Sequence, residues 1–233
     1  MTQILVTGAN GQLGSELKHI YEKGLYNFEK AIHFEFTDVN SLDLSNSTFL
    51  KKYIDDHSFD FIINCAAYTN VDLAESEEEK ATEINATCVQ NIVESLKNSQ
   101  TKFIHISTDY VFDGNSYIPY TEDMPANPYS VYGHSKLQGE KIALDHDHTI
   151  IIRTSWLYSV FGKNFPKTIH RLSKEKESLN VVFDQVGTPT YAFDLALAIM
   201  KIMDQSIGKN HFEISSRYSG SIVQRFPKAC CRG

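Results

Sequence analysis

Ile4-Leu5-Val6-Thr7-Gly8-Ala9-Asn10-Gly11-Gln12-Leu13-Gly14 is the stretch on which the fold turns. A short apolar, β-branched run enters a glycine-spaced turn, after which Leu13, Leu17, Ile20 and Tyr21 recur at helical spacing. Strand, turn and helix follow one another directly. Gly8 permits the tight turn, Gly11 lets backbone N–H groups approach a pyrophosphate, and Gly14 allows the helix to pack closely on the strand, its positive end facing the anion. The spacing G-x-x-G-x-x-G differs by one residue from the dinucleotide fingerprint and is weak alone, since such turns also occur without a ligand.

The context strengthens it. Ala31–Thr37 alternates weakly, as a strand does, and stops at Asp38, 24 residues after Gly14, where a carboxylate can accept hydrogen bonds from an adenosine ribose. Asp38 can equally be a turn-forming aspartate, and Glu35 competes with it one pleat earlier. Asp43 and Leu44 stand where they could border the adenine. No Arg or Lys follows Asp38 closely, which leans towards NADH and leaves NADPH open.

Strand and helix patterns then alternate. Phe59–Asn64 reads as a third strand ending in the small residues Cys65, Ala66 and Ala67, against which a cofactor can lie, with Asn64 and Ala66 as its neighbours. A helical pattern over 81–97 leads to a fourth strand, Lys102–Ile106, which delivers Ser107, Thr108 and Asp109 at its carboxyl end. Thr149–Arg153 is a fifth, ending beside Trp156, the single tryptophan, which reads equally as a core aromatic or as a wall for substrate. This order predicts an α/β fold, a Rossmann-type doubly wound parallel sheet with right-handed crossovers. Gly8, Asp38, Ala66 and Thr108 all fall at the carboxyl edge, where ligands gather.

Tyr132-Gly133-His134-Ser135-Lys136 supplies the chemistry. Residues at i and i+4 share a helix face, so Lys136 can sit beneath Tyr132 and make its phenolate less costly. Pro128 precedes Ser130, a candidate cap for this helix. With Thr108 nearby, the trio can move a proton, and coupled to a nucleotide site it reads as a carbonyl reductase. An ordinary surface pair would explain the spacing, though not its position after Ser107-Thr108-Asp109.

Composition sets limits. With 233 residues, 42% of them hydrophobic, the chain can bury a substantial core. No apolar run approaches the ~20 residues a membrane span requires, and no basic stretch opens a signal segment, so a cytoplasmic protein without membrane partners is expected. A net charge of −7 with scattered Lys and Arg argues against nucleic acid. Glu75–Glu79 reads as the solvated start of a helix, and Asp145–His148 as a solvated turn rather than a metal site. Cys65 and Cys88 read as buried, inert thiols; the four cysteines, with Cys230 and Cys231, fit neither a zinc ribbon nor a disulfide framework.

Six strings appear in order: T-G-A-N-G-Q-L-G from Thr7, N-C-A-A-Y-T-N-V-D-L-A-E from Asn64, S-T-D-Y-V-F-D-G from Ser107, V-Y-G-H-S-K-L-Q-G-E from Val131, R-T-S-W-L-Y from Arg153 and D-Q-V-G-T-P-T from Asp184. Together they resemble the dTDP-4-dehydrorhamnose reductases, extended short-chain dehydrogenases/reductases, from Met1 to about Phe212. The resemblance implies Thr108, Tyr132 and Lys136 as catalytic and Gly11, Gln12, Leu13, Asp38, Asp43, Leu44, Cys65, Ala66, Ala67, Tyr132 and Lys136 at an NADPH or NADH cofactor. It places Asp109 and Trp156 at the sugar of a dTDP-linked substrate. It also implies room for a homodimer bridged by a divalent ion, for which Glu16 is a contributor; one acid at a helix start is ordinarily a dipole partner, and no metal is assigned.

A 4,6-dehydratase would carry an acid after Thr-Asp, where this chain has Tyr110, whereas an epimerase shares the same trio and stays an alternative. A non-catalytic, nucleotide-binding regulatory subunit, such as that of methionine adenosyltransferase, is another. The expected division is 1–155 for the NAD(P)-binding domain, with 184–205 packing back onto it, and 156–183 plus 206–233 for a small, incomplete substrate lobe and a tail. The basic, aperiodic tail from Ser216 to Gly233 departs from the family and reads as a truncated or frame-shifted terminus.

Overall fold

The computed structural model describes residues 1–181, 187–210, 212 and 222–224. Apolar runs without strict alternation make strands buried on both faces: β1 (Thr2–Thr7), β3 (Phe61–Asn64), β4 (Lys102–Thr108) and β5 (Thr149–Thr154). The half-exposed β2 (Ile32–Thr37) lies at one edge. These five pair in parallel, as the sequence predicts, and stand in the order β2-β1-β3-β4-β5. Chain direction across the sheet reverses between β1 and β3, which opens a crevice above their carboxyl ends.

Each face of the sheet is covered by helices. On one, α1 (Gln12–Glu22) and α8 (Ala192–Ser206) bury Leu17, Ile20, Ile199 and Met203 against Ile4, Val6 and Ile152. On the other, α2 (Ser47–His57), α5 (Cys88–Ser95) and α6 (Val131–Ala143) bury Leu50, Ile54, Ile92 and Ala143 against Leu5, Ile62, Phe103 and Ile151. Truncating Phe61 or Phe103, both buried, to alanine costs about 3–5 kcal/mol.

The helical pattern over 81–97 is not one regular helix. Short segments α3 (Val71–Ala74) and α4 (Glu78–Thr82) lead into a π-helical turn, Glu83–Thr87, before α5. Buried Asn85 sits in that turn and spends its side chain on tertiary bonds, accepting from Tyr68 N–H (2.9 Å) and donating to the Tyr68 carbonyl (3.1 Å) and Ser135 Oγ (3.0 Å). The acidic run is likewise more than a solvated helix start: Glu75 accepts from the Val131 N–H (2.9 Å) and Glu77 from the Tyr68 hydroxyl (2.9 Å). His146 is buried with Nε2 2.7 Å from the Thr101 carbonyl, so Asp145–His148 is anchored rather than fully solvated.

Beyond β5 the chain forms β6 (Leu157–Tyr158), the amphipathic α7 (Phe165–Glu175), none of whose residues is buried, and β7 (Thr190–Tyr191), which pairs with β6. From the aperiodic tail, β8 (Ile222–Gln224) pairs antiparallel with β5, a strand the sequence pattern did not announce. The rest of that tail, with Cys230 and Cys231, and Asp184–Val186 of the sixth string lie outside the described residues. No described helix is long and apolar enough to cross a membrane.

Candidate active site

The glycine turn is built by close backbone approach. Gly8 has φ +69°, and a Cβ there would lie 2.5 Å from the Ala66 nitrogen; one on Gly14 would lie 2.5 Å from the Gly8 carbonyl oxygen. Gly11 occupies the N-cap of α1, where no side chain caps the helix and no acid stands in the first turn. The unsatisfied N–H groups of that turn therefore face a cleft of about 620 Å³ lined by Asn10–Leu13. Uncapped donors, a positive helix end and glycines with no room for side chains fit the diphosphate of a dinucleotide.

Across the cleft stands the Tyr-Lys helix. Ser130 caps α6 by accepting from the Gly133 N–H (3.0 Å), as its position after Pro128 predicts. Gly133 and Gly139 let α6 press onto its neighbours, since Cβ atoms there would lie 2.3 Å from the Tyr110 carbonyl oxygen and 2.1 Å from that of Asn85. Tyr132 is 8% and Lys136 2% exposed, yet both line the cleft with Thr108 and Asp109 from the end of β4. The Thr108 hydroxyl donates to Asp109 (3.1 Å) and accepts from the Tyr110 N–H (3.2 Å).

Burial sets the electrostatics. The Tyr132 phenol is pushed up to about 12, chiefly by desolvation, with Asp109 and Tyr110 adding to the rise and Thr108 opposing it. Lys136 is lowered to about 8 by desolvation, which Glu140 and Cys65 oppose. The expected easing of the phenolate by Lys136 is thus not realised: the ammonium donates to the Ile106 carbonyl at 2.7 Å, and the phenol keeps its proton. Glu140 is itself held by a buried bidentate pair with Arg153 at 2.8 and 2.7 Å. Burial also raises the Asp109 carboxyl.

The structure brings Gly11, Gln12, Leu13, Cys65, Ala67, Thr108, Asp109, Tyr132, Lys136 and Trp156 to one cleft. Gly8, Gly14 and Ala66 do not line it; they pack backbone against backbone in the turn that supports it. Asp38, Asp43 and Leu44 lie outside it, towards β2. The Asp38 carboxylate is engaged by the Asn40 and Ser41 N–H groups and by the Asn10 amide, which hold it below its usual range, and Asp43 accepts from Ser45. Leu44 is buried in the core, and Glu35 pairs with the Tyr53 phenol. Asn64 is a buried clamp: its Oδ1 accepts from Thr7 (2.7 Å) and the Ala66 N–H (3.2 Å), leaving Nδ2 to face His105 Nδ1 (3.2 Å). The Cys65 thiol, pushed up to about 12 by burial, is inert as expected but half-buried at the cleft wall.

Trp156 is 43% exposed with φ +49°, a left-handed backbone that a bulky residue adopts only under constraint. Its indole lines the cleft, and a Cβ on Gly187 would lie 2.5 Å from the indole nitrogen. Sequence reading missed Gly187 as the residue that makes room for it. It also missed the 159–164 segment. Gln12 donates to the Leu157 carbonyl (3.3 Å) and accepts from Asn164 (3.0 Å), while buried Glu16 accepts from Ser159 at 2.6 Å. Glu16 is therefore an internal latch rather than a solvent-facing dipole partner. The one available signal was polar residues on the first helix at i and i+4. A separate cavity of about 670 Å³ at the amino-terminal edge of the sheet holds none of these groups.

Comparison with known proteins agrees with this geometry. Residues 1–220 match the family described as RmlD substrate binding domain. A dTDP-4-dehydrorhamnose reductase of Aggregatibacter actinomycetemcomitans is 40% identical over 209 residues, covering 89% of this chain and 69% of that protein. Among solved structures, the dTDP-4-dehydrorhamnose reductase of Bacillus anthracis in complex with NADP superposes with TM-score 0.80 at 37% identity, over 95% of this chain and 77% of that one. The Clostridium acetobutylicum reductase superposes with TM-score 0.82 at 39% identity, over 95% and 76%. The family model matching residues 1–220, with a reductase 40% identical over 89% of this chain, places this protein in the dTDP-4-dehydrorhamnose reductase family.

Proposed function

We propose that the chain reduces the C4 ketone of dTDP-4-dehydro-L-rhamnose to give dTDP-L-rhamnose, using NADPH. The observation that carries this reading is the convergence of Thr108, Tyr132 and Lys136 on the cleft that the uncapped end of α1 also faces. NADPH, when bound, supplies the hydride. The protein's part is the proton and the positioning. Tyr132 gives its phenolic proton to the ketone oxygen, so that negative charge does not build up there, and its high pKa keeps that proton in place until it is needed. Thr108 hydrogen-bonds and orients the same oxygen. Lys136, released from the Ile106 carbonyl, holds the nicotinamide ribose and offers positive charge to the departing proton's phenolate. Trp156 and Asp109 wall the sugar.

The NADP of the Bacillus anthracis structure supports NADPH over the NADH that the residues after Asp38 suggested. Asp38 Oδ1 is taken up by the Ser41 and Asn40 N–H groups of its own turn and Oδ2 by the Asn10 amide. A nucleotide-sugar substrate supports a cytoplasmic setting. Mixing the protein with NADPH and dTDP-4-dehydro-L-rhamnose and following the absorbance of the reduced nicotinamide tests the reading. Stoichiometric oxidation is expected; cofactor binding without oxidation would favour a non-catalytic binding subunit.

A further inference from the structure

A dinucleotide brings two negative charges to the glycine turn, and the turn itself offers only backbone donors. The charged residues lining the cleft, among those described, are Asp109, Lys136 and Lys163. Lys136 is buried and engaged by the Ile106 carbonyl at the far wall, and Asp109 has the wrong sign. Lys163 is exposed, and no described residue engages its ammonium.

The backbone beneath Lys163 is fixed rather than loose. Gly162, at φ +63°, lies so close that a Cβ there would meet the Gln12 side chain at 3.0 Å. Asn164 donates to Gln12 Oε1 and to the Ser159 carbonyl (2.8 Å), and its own Oδ1 caps α7 by accepting from the Lys167 N–H (3.1 Å). Lys167 Nζ donates to the carbonyls of Val160 (2.6 Å) and Gly162 (3.0 Å). Gln12 is the first residue of α1, so these contacts seat Lys163 beside the uncapped helix end.

We infer that Lys163 is the counter-charge for the cofactor's diphosphate, closing over it from the 159–164 segment while the α1 N–H groups bind it from below. The inference rests on the proposed dinucleotide reading of the cleft. The nucleotide sugar also carries a diphosphate; the contacts that its neighbours Gly162 and Asn164 make with Gln12 at the glycine turn assign Lys163 to the cofactor's.

The test is direct binding of NADPH, read by fluorescence, to the wild type, Lys163→Gln, Lys163→Arg and, as a control for net charge, Lys174→Gln on the exposed face of α7. Lys163→Gln is expected to weaken NADPH about 5–10-fold at low ionic strength, with the difference shrinking at about 0.5 M salt. Lys163→Arg restores most of the affinity, Lys174→Gln leaves it unchanged, and dTDP binding stays within about twofold in all four. Unchanged NADPH affinity in Lys163→Gln overturns the assignment, as does a loss confined to dTDP, which would move the lysine to the substrate's diphosphate. A wild type that binds no NADPH overturns the dinucleotide reading itself, and this inference with it.

Discussion

The two walls of the cleft are made in opposite ways. At the glycine turn, shape comes from backbone packed against backbone: Gly8 on Ala66, Gly14 on Gly8, with the side chains beneath, Thr7 and Asn64, hydrogen-bonded to one another. On the side where β5 ends, Thr154 lines the cleft with a buried hydroxyl that has no partner among the described residues, and Trp156 lines it from a positive φ. One wall is a rigid receptor for a constant group. The other carries backbone strain and a buried hydroxyl without a partner among the described residues.

Substitutions can break that contrast. The largest effect is expected on chemistry: Tyr132→Phe should lower kcat about 10³-fold while NADPH affinity, measured by fluorescence, changes less than about threefold. A parallel fall in both would mean that the phenol holds the fold rather than the proton. On the rigid wall, Gly14→Ala should cost about 2–3 kcal/mol in urea unfolding, because its Cβ meets backbone that cannot yield. A change below about 1 kcal/mol would show that the turn has slack.

Lys136 yields a pH signature in the ligand-free protein. Its folded pKa is about 8, below that of an unfolded lysine, so between about pH 8 and 10 Lys136 by itself makes stability rise with pH, against the fall contributed by the Cys65 and Cys88 thiols, which burial pushes up to about 12 and about 11. Above about pH 10 the raised Tyr132 works the other way, since the unfolded phenol loses its proton first. Lys136→Met should remove the lysine's contribution, so that between about pH 8 and 10 the variant loses stability with pH more steeply than the wild type, as denaturant midpoints across that range would show; identical slopes would contradict the lowered lysine. The smallest stability effect is expected at the strained wall. Trp156→Gly relieves the positive φ as it removes the indole, so stability should move by about 1 kcal/mol or less while KM for the sugar rises about tenfold. An unchanged KM would remove Trp156 from the substrate's path.

What the sequence revealed follows the same division. Glycine spacing, strand runs and the i, i+4 pair are local patterns, and local patterns foretold the parallel sheet, the Ser130 cap and the convergence of Thr108, Tyr132 and Lys136. Features fixed by distant partners stayed hidden. Glu16 reads as an ordinary helix acid until Ser159 is folded onto it, and Asn85 as one more helical residue until Tyr68 and Ser135 claim its amide. Trp156 could not be assigned to core or cleft because its placement depends on Gly187, 31 positions away. The phenol's pKa is hidden for the same reason: helix spacing shows the lysine, whereas the shift comes chiefly from desolvation by burial, with Asp109 and Tyr110 adding to it.

The most direct measurement is isotopic. With NADPH carrying deuterium at the transferable position of its nicotinamide and dTDP-4-dehydro-L-rhamnose as substrate, the product examined by NMR should be dTDP-L-rhamnose with the label on C4. Intact ketone beside unoxidised cofactor, or a product without deuterium at C4, would contradict the account.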